Sequence, residues 1–206
     1  MDKFLIKGPC KVKGTVNISG SKNASLPILA ASILFDEMVE IKNLPNVRDI
    51  DTMLSLIKSL GFKVKQNKNS NSVVIKKSKK INTFASYSLV KTMRAGILVL
   101  GPLITKFGKA KTSLPGGCLI GARPINYHLN ALKKLGMKYK IEKGYVNAFA
   151  KSKLTGSNIF FPKISVGATE NAILAATLAN GKTILKNCAI EPEIKNNKFD
   201  KEFLVK

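Results

Sequence analysis

Residues 49–65 read DIDTMLSLIKSLGFKVK, and residues 124–140 read PINYHLNALKKLGMKYK. In the first stretch Ile50, Met53, Leu54, Ile57 and Leu60 recur at helical spacing, Gly61 closes the helix, and the alternation that follows predicts a strand. In the second, Ile125, Leu129, Leu132 and Leu135 form the same stripe and Gly136 stands where Gly61 does. The chain therefore contains a repeated helix-then-strand unit, and repetition of this kind has to be settled before any other feature.

A second helix type also recurs. Residues 24–35, 89–107 and 168–180 are rich in Ala, Ile and Leu, and each is followed by a short Lys-bearing strand, at 39–42, 109–113 and 182–185. Strands and helices alternating through short connections predict an α/β domain built from units too small to bury their apolar faces singly. A third copy of the amphipathic helix is due after Ile194, because LKNCAIEPEI resembles IKNLPNVRDI. Its stripe would fall on Asn197, Lys198, Lys201 and Leu204, of which three are polar, so the chain is expected to stop inside a repeat. The resulting division is 1–19, 20–194 and a divergent or truncated tail at 195–206.

Composition narrows the classes. The 206 residues carry 35 Lys and Arg against 12 Asp and Glu, a net charge of +23, and 45% are hydrophobic, which is enough apolar surface for a folded domain rather than a disordered chain. No apolar stretch approaches the roughly 20 residues needed to span a bilayer, and no cleavable leader opens the chain, so a cytoplasmic protein is expected. Cys10, Cys118 and Cys188 form no CxxC pair, which points away from a disulfide framework and from a zinc site. No metal or cofactor is implied. From residue 52 to residue 141 there is no acid, giving a positive field suited to anionic partners, although Lys and Asn are abundant everywhere. Arg is scarce, present as Arg48, Arg94 and Arg123, and marks positions where a planar, forked cation is needed.

Four segments could carry chemistry. In SLPGGCLIGARPINYH, residues 113–128, Cys118 follows a Pro-Gly-Gly turn with Lys111 and Arg123 near in sequence, a setting that lowers a thiol pKa; spacing alone leaves a buried structural thiol equally open. His128 in the same segment lies on the apolar stripe in the place of Met53, which predicts a packed or substrate-edge histidine rather than a base. In ISGSKNASLPILAA, residues 18–31, Lys22 and Asn23 sit where an apolar helix begins, so free N–H groups, the helix dipole and one ammonium could receive an anion, while Ser21 or Asn23 could equally be plain N-caps. KTMRAG, residues 91–96, is expected to place Lys91 and Arg94 on adjacent helical turns. In KISVGATEN, residues 163–171, Ser165 and Gly167 open the last long helix.

Taken together and in order, GSKNA, KTMRA, LPGGCLIGARP and KISVGAT resemble the bacterial UDP-N-acetylglucosamine enolpyruvyl transferases, from Phe4 to about Ile194. The resemblance implies an inside-out α/β domain of repeated βαβαββ units, with the third unit incomplete here. It also implies that the first twenty or so residues pack with a second domain. The implied reaction transfers the enolpyruvyl group of phosphoenolpyruvate to the 3'-hydroxyl of UDP-N-acetylglucosamine and releases phosphate, an early step of peptidoglycan precursor synthesis that fosfomycin-type epoxides block. By motif match Cys118 would protonate the enolpyruvate methylene, and Lys22, Arg94 and Arg123 would hold phosphate and carboxylate. Asn23, the run Arg123, Pro124, Ile125, Asn126 and Tyr127, and Lys163, Ser165, Val166 and Gly167 would contact the sugar nucleotide. Asn126 departs from the Asp usual in the family. Family members are about twice as long, and their second half supplies further catalytic groups, so this chain alone is expected to be nearly inactive, with a separately encoded second half as one partner. The competing classes are a nucleotide-sugar-binding fragment without turnover and a Lys-rich nucleic-acid binder; the second is disfavoured by the absence of Trp and of an aromatic strand for base stacking.

Overall fold

The computed structural model describes residues 3–91, 93–115 and 125–195. The middle of the chain displays one complete unit. Strand β4 (Phe84–Ala85) leads into helix α3 (Tyr87–Val90), a 3-10 helix (Arg94–Val99) and α4 (Leu100–Phe107). After these come β5 (Lys109–Ser113), α5 (Asn126–Lys134), β6 (Lys138–Glu142) and β7 (Tyr145–Phe149). Its sheet runs β4-β5-β7-β6, with β4 parallel to β5 and the other neighbours antiparallel. This is βαβαββ, as expected.

The first unit has the same plan without its leading strand. It comprises α1 (Lys22–Ala31), a 3-10 turn (Ser32–Leu34), β1 (Val39–Ile41), α2 (Arg48–Ser59), β2 (Phe62–Asn67) and β3 (Ser72–Lys77), with sheet order β1-β3-β2. The third unit begins as the second does: β8 (Asn158–Phe160) and β9 (Ile184–Lys186) pair in parallel around α6 (Val166–Ala176), and α7 (Pro192–Lys195) follows. Residues 3–20 form no helix or strand, and the stripe expected at residues 197–204 lies outside the described residues.

The two helix types differ because their surroundings differ. In α2 the buried residues are Ile50, Met53, Leu54, Leu56 and Ile57, one stripe only, while Asp51, Ser55 and Lys58 face water. Helices α1, α4 and α6 are apolar on most sides, since α1 and α4 both contact α6 and α1 also meets the 3-10 helix. They form the centre, with α2 and α5 outside, and the core includes Leu29, Ile57, Leu100, Leu103, Leu132 and Phe161. Burying each such side chain contributes on the order of 2 kcal/mol. The two matched glycines share a left-handed backbone, with φ +93° at Gly61 and +107° at Gly136, which lets the chain reverse from helix to strand.

One expected helix is absent as such. Residues 89–107 do not form a single rod: Met93 is extended (φ −143°, ψ 123°) between α3 and the 3-10 helix. Gly96 lies so close to Val90 that a Cβ there would come within 3.2 Å of the Val90 Cα, so the two short segments fold onto each other instead of running on. Lys91 and Arg94 are therefore not on adjacent turns of one helix. Lys91 caps α3 with its ammonium 5.1 Å from the Tyr87 ring centroid, and Arg94 opens the next segment, exposed. Among the described residues no helix is long and apolar enough to cross a membrane.

Candidate active site

The described candidate residues occupy one kind of place, the junction where a helix begins. Lys22 and Asn23 are the first two residues of α1, behind Ser21, whose hydroxyl accepts the Ala24 N–H at 3.3 Å. Arg94 is the first residue of its 3-10 helix. Ile125 is the N-cap of α5, and Asn126 and Tyr127 are its first two residues. Lys163 lies between β8 and α6; Ser165 caps α6, its hydroxyl accepting the Ala168 N–H at 3.4 Å, and Val166 and Gly167 open the helix. Helix starts present unpaired N–H groups and a partial positive charge, which suits phosphate and carboxylate ligands. Pro27, inside α1, has no N–H to give the Asn23 carbonyl.

Cys118, Arg123 and Pro124, in the glycine-cysteine loop, lie outside the described residues. Of the three proposed anion-holding cations, only Lys22 and Arg94 can be placed. Lys22 Nζ pairs with Asp49 Oδ2 of α2 at 3.1 Å, and its side chain remains 48% exposed. A half-exposed pair of this kind contributes at most about 1 kcal/mol, so an anionic ligand could draw the ammonium away at small cost.

What the fold does bring together is the start of α5 and the start of α6. A Cβ on Gly167 would meet His128 Cε1 at 3.3 Å, so only glycine lets the two helices approach this closely without a shift. Behind them Asn171 is fully buried and uses its whole amide: Nδ2 donates to the Ile97 carbonyl at 3.0 Å and to His128 Nδ1 at 3.2 Å, and Oδ1 accepts the Gly101 N–H at 2.8 Å. Because His128 Nδ1 accepts, Nε2 carries the ring proton, a tautomer assigned from the hydrogen bond. Burial lowers the His128 pKa to about 4, so the ring is neutral at physiological pH. That agrees with the packed histidine read from the stripe. Asn171 was not singled out by sequence, although a lone amide in the apolar run ATENAILAA is a visible signal.

Glu170, the neighbour of Asn171 on α6, is a further titratable group that sequence did not flag. Burial, followed by the nearby charges of Glu193 and Glu191, raises its pKa to about 7. Among the described residues no group of three or more His, Cys, Asp or Glu is arranged to hold a metal ion.

Three α/β units around a centre of apolar helices, with candidate polar residues at the helix starts, define the enolpyruvyl transferase fold. The enolpyruvyl transferase NikO from Streptomyces tendae superposes with a TM-score of 0.76 at 18% identity, over 89% of this chain and 43% of that one. EPSP synthase from Acinetobacter baumannii gives 0.70 at 17% identity, over 88% and 42%. The chain belongs to the EPSP synthase (3-phosphoshikimate 1-carboxyvinyltransferase) family, whose sequence model matches residues 6–198. Curated relatives include the UDP-N-acetylglucosamine 1-carboxyvinyltransferases of Pelagibacter ubique, 63% identical over 95% of this chain, and of Enterobacter cloacae, 53% identical over 94%. The chain spans 46% of the length of each, matching the N-terminal half.

Proposed function

We propose that this chain carries the N-terminal share of a site that transfers the enolpyruvyl group of phosphoenolpyruvate to the 3'-hydroxyl of UDP-N-acetylglucosamine, in the cytoplasm. The observation that carries the reading is the 63% identity to a relative of that name, joined to the placement of every described candidate at a helix start. In the proposed reaction the sugar hydroxyl gives its proton to a base of the complementary half as its oxygen adds to C2 of phosphoenolpyruvate, while Cys118 delivers a proton to C3. Loss of a C3 proton to a base and departure of phosphate from C2 then restore the double bond. Lys22, Arg94 and Arg123 hold the two anionic groups of phosphoenolpyruvate, a task for one point charge and two forks. Asn23, Pro124, Ile125, Asn126, Tyr127, Lys163, Ser165, Val166 and Gly167 contact the sugar nucleotide.

A chain covering 46% of its relatives supplies only part of a cleft that two domains would close, and positioning and water exclusion both depend on closure. The same coverage favours a second reading, in which the chain binds the sugar nucleotide without turning it over. Phosphate release with both substrates tests the proposal. The expected result is negligible turnover by the 206-residue chain and recovery when the complementary half of a relative is supplied, with that recovery abolished by Cys118→Ser. Full turnover by the chain alone would overturn the half-site reading. Absence of both recovery and calorimetric binding of the sugar nucleotide would overturn the substrate assignment.

A further inference from the structure

The stretch from residue 52 to residue 141 contains no acid, and the sheet β4-β5-β7-β6 shows where part of its cation excess goes. The inner face of this sheet, with Ala85, Ala110, Val146 and Ala148, is buried in the core, so alternation turns Phe84, Lys109, Lys111, Tyr145, Asn147 and Phe149 outward. Register arranges the outer face in rows. Lys109, Phe149 and Lys138 lie side by side across β5, β7 and β6, and Phe84, Lys111, Asn147 and Lys140 lie side by side across all four strands. Phe149 is 43% exposed, with a lysine on each side. The Phe84 and Tyr145 ring centroids are 5.5 Å apart, and the Lys111 ammonium lies 5.3 Å from the first and 5.0 Å from the second. A recess of about 270 Å³ is bordered by Thr83, Lys111, Lys140 and Phe149.

The positive surface continues beyond this sheet. A second recess, of about 480 Å³, is lined by Lys63, Lys76, Lys77, Ser78, Lys79 and Lys80, and the chain from Ser78 onward leads directly to Thr83 at the first recess. Lys63 and Lys76 stand directly opposite each other in the β2–β3 pairing, a like-charge contact that an intervening anion would relieve. Among the described residues, Lys77 alone of these lysines pairs with a carboxylate, that of Asp36. Glu142, the acid on the outer sheet face, stands at its end beside Tyr145.

We propose that this surface binds single-stranded nucleic acid, with bases stacked on Phe149 and Phe84, phosphates held by the lysines beside them, and the strand continuing into the second recess. Exposed rings among unpaired cations distinguish this occupant from a plain polyanion: a ring stacks on any base, and an ammonium holds phosphate as a point charge without reading sequence. Strand pairing alone interleaves rings from β4 and β7 with lysines from β5 and β6, an arrangement that the linear sequence does not display. The candidate active-site residues lie at helix starts, and none of them belongs to this face.

Fluorescence anisotropy of a labelled oligothymidylate with the 206-residue chain tests the proposal. Binding is expected at physiological salt, and Phe149→Leu, which keeps apolar bulk but loses the stacking face, should weaken it roughly fivefold or more. The double variant Lys109→Gln, Lys140→Gln should weaken it at least tenfold and make the plot of log affinity against log salt less steep by about 1.4, as two single-strand phosphate contacts require. Lys182→Gln with Lys186→Gln removes the same charge from exposed positions on the third unit and should change affinity less than twofold. Circular dichroism should be the same for every variant, since all these side chains are exposed. Equal weakening by the two lysine pairs would mean attraction to net charge alone and would overturn the proposal. So would the absence of binding at physiological salt. An affinity unchanged by Phe149→Leu, or displacement by inorganic polyphosphate as effective as by unlabelled oligothymidylate, would leave a polyanion site and defeat the nucleic-acid assignment.

Discussion

His128 Nδ1 accepts a hydrogen bond from Asn171 Nδ2 at 3.2 Å, although 43 residues separate them in the chain. The same amide accepts the Gly101 N–H, from 70 residues earlier in the chain. One side chain thereby fixes α5, α6 and the junction of the 3-10 helix with α4, directly behind the helix starts that bear the candidate ligand-binding residues.

Asn171→Ala should therefore cost more than the loss of one hydrogen bond. It leaves the Ile97 carbonyl and the Gly101 N–H without their side-chain partner in a dry interior, at about 1–3 kcal/mol for each unsatisfied group. Urea unfolding followed by circular dichroism is expected to show a loss of about 3 kcal/mol with an unchanged slope. A loss under 1 kcal/mol would mean that the network contributes little.

Two buried titrating groups make opposite pH predictions. His128 is held neutral, its pKa falling from 6.5 to about 4, so its contribution is complete above pH 6.5 and is lost as pH falls toward 4. Glu170 is held protonated, its pKa rising from 4.5 to about 7, so its contribution is complete below pH 4.5 and is lost as pH rises toward 7. Each effect is on the order of 3 kcal/mol, and between pH 4.5 and 6.5 they largely cancel. Glu170→Gln should turn a nearly flat stability profile in that window into one that rises with pH, and should stabilise the chain at pH 8. A variant with the same profile as the parent would contradict both assignments.

The paired turn glycines should respond unequally to the same change. Gly136→Ala places a Cβ in open space and pays only for the left-handed backbone, about 1–2 kcal/mol. Gly61→Ala adds a collision with the Lys80 carbonyl oxygen and should cost clearly more. Thermal melting of the two variants side by side tests the difference in packing behind two turns that look identical in sequence.

Lys22→Met should barely change stability, because the Lys22–Asp49 pair is half-exposed, and should remove anion binding if the proposed site is correct. Titration with phosphoenolpyruvate, in the presence of the sugar nucleotide and the complementary half, is expected to show at least tenfold weaker binding. Unchanged affinity would exclude Lys22 from the anion site.

Much of this architecture is local in origin. The stripe ending at Leu60 and its counterpart ending at Leu135 needed only helical period and a following glycine, so both α2 and α5 were legible, as were the caps Ser21 and Ser165 and the strand Lys109–Ser113. The starts of α1 and α6 were legible for the same reason, since caps act within one turn of chain, but the helix start that bears Arg94 was not. The break at Met93 was not, because it arises from the close approach of Gly96 to Val90, and an apolar run gives no sign of folding onto itself.

The sequence by itself determined the repeated unit, the two helix classes and the family resemblance, because periodicity and short motifs are set by near neighbours. Only the tertiary structure decided that Asn171 joins His128 to Gly101 and that Glu170 lies in an acidic, desolvated setting. Each of these depends on which distant segments come into contact and how much water they exclude, and no local pattern encodes either.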